Sequence, residues 1–120
     1  MSPTHDVIAD ASPWVRRFAP TIPNGGLVLD LACGAGRHSV LLASEGHPVL
    51  AVDRDISALG PLEDSSIQAQ ELDLEGSDWP LLGKQFSGII VTNYLYRPFL
   101  DELPKMLCEG GVLIYETFAD

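Results

Sequence analysis

The chain has 120 residues, with 17 acidic against 7 basic side chains and a net charge of −10. That length holds one domain, and 46% hydrophobic with 20% charged residues excludes both a disordered chain and a disulfide-stapled miniprotein. The acidity argues against non-specific nucleic-acid binding and against an anionic membrane surface, since both need Lys and Arg.

In chain order, Ser12-Pro13 reads as an N-cap and first position of a short helix through Ala19. Residues 27–32, entered from Asn24-Gly25-Gly26, form a buried strand, and residues 37–45 a helix stopped by Gly46. A second strand covers 47–52, a short helix 55–59, a weaker third strand 67–72 and a fourth strand 86–92. Residues 98–107 read as a helix that Pro104 kinks or ends and Gly110-Gly111 closes, with a fifth strand over 112–118. Apolar strands separated by helical crossovers predict a parallel α/β sheet covered on both faces, with a ligand crevice at the strand carboxyl ends.

The N-terminus lacks the basic and apolar regions of a signal peptide. No apolar run approaches the roughly 20 residues of a membrane span. Cys33 and Cys108 make no metal-ligand spacing, so no metal is expected and a reducing cytoplasm is the expected compartment.

The chemistry gathers at Leu29-Asp30-Leu31-Ala32-Cys33-Gly34-Ala35-Gly36-Arg37, where a strand runs through small residues into a helix. Small residues let the backbone approach a ligand, and the helix start offers unpaired N–H groups. Asp53 ends the second strand, 17 residues after Gly36, where an acid can accept from both hydroxyls of a ribose. Asp30 at the mouth of the first strand would repel a pyrophosphate but attract an ammonium or sulfonium. It therefore favours an aminoacyl nucleoside over a dinucleotide, whose pattern also wants Gly or Ala where Ser39 stands.

On these residues, with Ala51-Val52-Asp53-Arg54, Leu72-Asp73-Leu74-Glu75, the Phe86–Asn93 run and the Glu109–Tyr115 run, the chain resembles the class I S-adenosylmethionine-dependent methyltransferases. Within them it is similar to the small bacterial tellurite-resistance-type enzymes. The resemblance implies a Rossmann-like, three-layer α/β/α domain over 1–120. An N-terminal helical segment occupies 1–22, and the core sheet 23–120 has strand order 3-2-1-4-5, without the family's final two strands. It implies S-adenosyl-L-methionine as cofactor and a small-molecule methyl acceptor. Asp30, Gly34 and Gly36, with the backbone of Ala32 and Cys33, would hold the methionine portion. Asp53, with Arg54 beside it, would serve the ribose; Asp73 would accept from the adenine amino group, with Leu74 beside the ring. Asn93 and Tyr94 would face the methyl group and the acceptor. Asn93-Tyr94-Leu95-Tyr96 is not the Asn-Pro-Pro-aromatic motif of amino-group methyltransferases, and the usual glycine of the loop is Ala32.

Plainer readings stand beside these. Asp53, Arg54 and Asp55 would make a surface ion-pair cluster, and Asp73 a solvated acidic loop. Cys33 would be a packing residue rather than a low-pKa nucleophile. His38 would face solvent or the N-terminal segment, and His47 would lie on the surface. Trp14 and Phe18 would form a packing face. Two other functions remain: a non-catalytic cofactor-binding module that pairs as a homodimer through the fifth-strand edge, and an NAD-dependent oxidoreductase.

Overall fold

Glycine and proline cut this chain into short apolar runs, and the runs become strands. The computed structural model describes residues 11–59, 65–72, 81, 83–92 and 101–116. Strand β1 spans Val28–Leu31, β2 Val49–Asp53, β3 Ile67–Glu71, β4 Phe86–Thr92 and β5 Leu107–Glu116. The α-helices among these residues are α1, Pro13–Phe18, and α2, Arg37–Ser44. Short 3-10 turns lie at Ala19–Thr21, Ser57–Leu59 and Leu103–Met106. Every strand pairing is parallel, and the order is β3-β2-β1-β4-β5, as expected of a doubly wound sheet.

Strand periodicity sorts the core into two layers. Leu29 and Leu31 of β1 point to one face, where Leu50, Val52, Phe86, Ile89 and Val91 meet Leu81, Leu103 and Met106. Val28 points to the other face, where Val49, Ile90 and Ile114 meet Val15, Ala19 and Ile22 of the N-terminal segment and Leu42 of α2. Asp30 shares the parity of Val28 and so lies beneath the helices. No helix among the described residues is long and apolar enough to cross a membrane.

The second half of the sheet departs from expectation. Leu103–Met106 is a 3-10 turn, and β5 starts at Leu107, five residues before the expected position. Phe86 pairs with Leu107 and Gly88 with Val112, so one residue of β4 faces four of β5. Gly110, at φ +80°, turns the extra residues out as a bulge. The Gly-Gly pair that reads as a helix stop is thus spent inside a strand. His47 also departs: it is buried, just ahead of β2, and its backbone N–H donates to Leu42 O at 3.1 Å.

The N-terminal helix is fastened at its first residue. Ser12 caps α1 as expected, its Oγ accepting from Val15 N–H at 3.1 Å, and Pro13 occupies the first turn. The backbone N–H of Ser12 donates to Nε2 of His38 at 3.1 Å. That bond makes Nε2 the bare nitrogen, so the ring proton sits on Nδ1, 3.5 Å from Thr92 Oγ1 at the end of β4. Burial and the neighbouring Arg37 lower the His38 pKa from 6.5 to about 4, against an opposing pull from Glu116.

Two predictions follow from this packing. A Cβ on Gly88 would lie 2.9 Å from both Cδ1 and Cγ2 of Ile22. Gly88→Ala should therefore cost about 1–3 kcal/mol by urea denaturation, and Ile22→Val in the same chain should recover part of it. An undiminished urea midpoint in Gly88→Ala would contradict this contact. For His38, the unfolded chain takes up the proton first, because the folded pKa is the lower one. The stability held by the neutral ring is complete above pH 6.5 and is lost as pH falls toward about 4. The advantage of wild type over His38→Gln should accordingly shrink between pH 7 and pH 4, by up to about 3 kcal/mol.

Candidate functional site

A strand that ends beneath a helix must hand its backbone across a short loop, and residues 32–36 make that passage. Ala32, Gly34 and Gly36 all have positive φ, at 56°, 56° and 85°. Glycine adopts this freely, whereas Ala32 does so against its own Cβ, at a cost of about 1–2 kcal/mol. The loop position that usually holds glycine is thus a position that needs it. A Cβ at Gly34 would meet nothing within 4 Å, so open space lies beside the loop. The turn is closed by Gly36 N–H donating to Cys33 O at 2.9 Å, and Cys33 N–H donates to Val52 O at 3.0 Å.

Asp30 is fully buried, with Ala51 and Ile90 as its register neighbours on β2 and β4. Its Oδ2 accepts from the hydroxyl of Ser39 at 2.6 Å, across the loop, in the first turn of α2. Gly36 caps that helix without a side chain, so Asp30 supplies from the preceding strand the anchor that a Ser or Asp cap would have supplied locally. The other oxygen, Oδ1, is buried and has no hydrogen-bond partner. Desolvation raises the Asp30 pKa from 3.8 to about 6; the hydroxyl and backbone of Ser39 pull it down, and the charge of Asp53 pushes it up. Ser39, which spoke only against a dinucleotide pattern in the sequence, is therefore part of the site. A hydroxyl nine residues beyond a buried acid, on the far side of a turn, was the signal available.

Asp53 ends β2, as expected, and it too ties down the loop. Its Oδ2 accepts from Gly34 N–H at 2.9 Å and its Oδ1 from Asp55 N–H at 3.4 Å. A carboxylate offers about four acceptor positions, and the described residues take up two of them. Asp55 turns to Ser57 N–H at 3.0 Å, which lowers its pKa. Arg54 is exposed beside them.

Cys33 is buried against Ala51 and Leu59. Burial, with Asp30 and Asp53 nearby, pushes its thiol up to about 12, so it is a packing residue and no nucleophile at neutral pH. His38 has both nitrogens engaged, with Ser12 and Thr92. Trp14 and Phe18 meet edge to face at 4.6 Å, but Val15 is the buried residue of that helix. The two rings instead line a groove of about 300 Å³ with Val112, Leu113, Ile114 and Tyr115 of β5. Asp73, Leu74, Asn93 and Tyr94 lie outside the described residues.

The structure thus gathers Asp30, Ala32, Cys33, Gly34, Gly36, Asp53 and Arg54 at the carboxyl ends of β1 and β2. Open space, an acceptor on Asp53 and a buried, unpartnered oxygen on Asp30 suit a small cationic ligand with a hydroxylated body.

Comparison with known proteins agrees with this geometry. A family model described as tellurite resistance protein TehB matches residues 2–85. No curated protein matches the chain. Among solved structures, TehB from Haemophilus influenzae is similar at TM-score 0.70 and 19% identity, over 88% of this chain and 40% of that one. The glycopeptide N-methyltransferase MtfA, complexed with sinefungin, gives 0.67 and 25%, over 88% and 54%. Coclaurine N-methyltransferase, bound to N-methylheliamine and SAH, gives 0.67 and 18%, over 82% and 33%. The chain spans between about a third and just over a half of these proteins' lengths. The fold is that of the methyltransferases, and the family match covers more than half of the sequence: the chain belongs to the TehB family of tellurite resistance proteins.

Proposed function

We infer that the glycine loop binds S-adenosyl-L-methionine and that the chain serves methyl transfer to a small-molecule acceptor. The observation that carries this reading is Asp30, a buried carboxyl beneath the loop with one oxygen on Ser39 and the other without a partner. A ligand ammonium supplies both the charge and the donor that this oxygen lacks. MtfA, of the same fold, was crystallised with S-adenosylmethionine and with sinefungin, which supports the assignment.

In this reading Asp30, Gly34, Gly36 and the backbone of Ala32 and Cys33 hold the methionine portion, and Asp53 accepts from the ribose beside Arg54. Asp73 and Leu74 are proposed for the adenine, and Asn93 and Tyr94 for the acceptor side. When bound, the cofactor supplies an electrophilic methyl group on sulfur. The protein aligns the acceptor behind that carbon, which contributes about 7–11 kcal/mol, and keeps water away. His38, the histidine nearest the loop, has both ring nitrogens engaged and is not placed to take a proton from an acceptor. An acceptor that is already nucleophilic, such as a thiol or a selenium or tellurium anion, suits such a site better than a hydroxyl. A dinucleotide suits it less, since its pyrophosphate would face Asp30 and Asp53.

A second reading rests on the β5 groove. β5 is the outer strand of the sheet, and Trp14 and Leu113 beside it are 44% and 36% exposed. Two copies pairing through this edge would cover both the strand and the rings. We expect such a homodimer to form cytoplasmically, with the cofactor site facing away from the pairing edge.

Isothermal titration should show S-adenosylmethionine binding to wild type. Asp53→Ala should bind at least about tenfold more weakly, the worth of a hydrogen bond to a charged group. No binding, or equal binding by the variant, would sink the assignment. Because Asp30 titrates at about 6, a ligand that fixes it in the ionised form must displace a proton. At pH 6 the release should approach about half a proton per ligand and should vanish near pH 8, read from buffers of differing ionisation heat. Sedimentation across micromolar concentrations tests the dimer, which a constant monomer mass would exclude.

A further inference from the structure

His38 belongs neither to the loop nor to any proposed ligand contact, yet it joins three segments that the sequence keeps far apart. It sits in the first turn of α2, two residues past Gly36 and next to Ser39. Its Nε2 accepts from the Ser12 backbone at the start of α1, and its Nδ1 faces Thr92 Oγ1 at the end of β4. The ring is 2% exposed, and Thr92 and Ser12 are buried with it. Ser39 ties the same turn of helix to Asp30 beneath the loop. The turn that ends the glycine loop is therefore pinned on both sides, by Ser39 to β1 and by His38 to β4 and the N-terminal segment. Of these residues only Asp30 is singled out for the site by the loop's own sequence.

We propose that His38 is a positioning residue for the cofactor loop: through Ser12 and Thr92 it fixes the first turn of α2, and with it Gly34 and Gly36, in the shape that takes the ligand. The imidazole suits this work because one ring carries an acceptor and a donor on opposite edges, reaching a backbone N–H and a hydroxyl at once. Its neutral form is the one that does so, since a second proton would set a donor against the Ser12 N–H. Thr92 is the last residue of β4, so the same contact ties the carboxyl end of that strand to the first turn of α2. The inference rests on the loop being the S-adenosylmethionine site, and it adds a residue that contacts the ligand at no point.

The test combines a ligand-free and a ligand-bound readout on the full chain. Amide hydrogen exchange at Gly34 and Gly36 should quicken in His38→Phe, which keeps a ring but has no polar atom, and should return toward wild type in His38→Gln, whose amide restores an acceptor. Affinity for S-adenosylhomocysteine should fall up to about tenfold in His38→Phe, the equivalent of one buried hydrogen bond, and recover in His38→Gln. Thr92→Val, a milder change, should give a smaller loss, and the double variant should lose less than the two losses combined. Unchanged loop exchange in both His38→Phe and Thr92→Val would overturn the proposal. So would faster exchange with unaltered affinity, or equal losses in His38→Phe and His38→Gln. If wild type itself binds no S-adenosylhomocysteine, the cofactor reading fails, and unaltered loop exchange in the variants would then show that His38 does not position the loop either.

Discussion

The bond between Asp30 and Ser39 is the constraint on which the site depends. It spans the glycine loop, joining the end of β1 to the first turn of α2, so the loop can assume only shapes that keep these two points together. A carboxyl group in that place carries a standing electrostatic penalty. Its register neighbours are Ala51 and Ile90, and its second oxygen has no partner. Burial without full compensation raises its pKa toward neutrality, which leaves the group poised between two charge states. A hydrophobic residue there would hold the sheet more firmly but could not respond to charge. The stability sacrificed at Asp30 and the capacity to answer a cation are the same property.

The loop is held from the side as well as from below. Asp53 at the end of β2 accepts from Gly34, which places a second carboxylate at the carboxyl edge of the sheet and raises the pKa of the first. Two acids close together would repel each other in a purely structural role. They make sense where a positive charge is to come between them or beside them. Cys33 shows the same field from the other side: an environment that disfavours further negative charge keeps its thiol protonated. The local electrostatics thus favours cations and disarms the one nucleophile that the loop contains.

Much of this was legible in the sequence, and what was missed has physical reasons. The strands over β1, β2, β3 and β4 followed from apolar runs, the cap at Ser12-Pro13 from capping chemistry, and Asp30 and Asp53 from their places at strand ends. Ser39 reads only as a mismatch to a dinucleotide pattern because its partner lies on a different element, and a tertiary cap has no local signature. His38 does meet the N-terminal segment, one of its two expected surroundings, but its burial and its contact with Thr92, 54 residues away in the chain, have no local signature. The Gly110-Gly111 pair reads as a helix stop because positive φ serves a bulge and a C-cap equally, and only pairing to β4 distinguishes them. His47 reads as a strand-start surface residue ahead of Pro48, yet it is buried with its N–H on Leu42 O while Pro48 itself is exposed, a contact with α2 that its own position in the sequence does not signal.

The two outer strands of the sheet are chemically unlike, and any pairing through them would differ accordingly. β3 presents Gln68, Gln70 and Glu71 around a partly exposed backbone, whereas β5 lies beside exposed Leu113 and Trp14. Open polymers need two mutually adhesive edges on every subunit, and here one edge is polar and carries an acid. A pair formed through β5 would leave a β3 edge facing outward on both sides. The two edges of this five-stranded sheet are therefore unequal as pairing surfaces, one polar and one apolar.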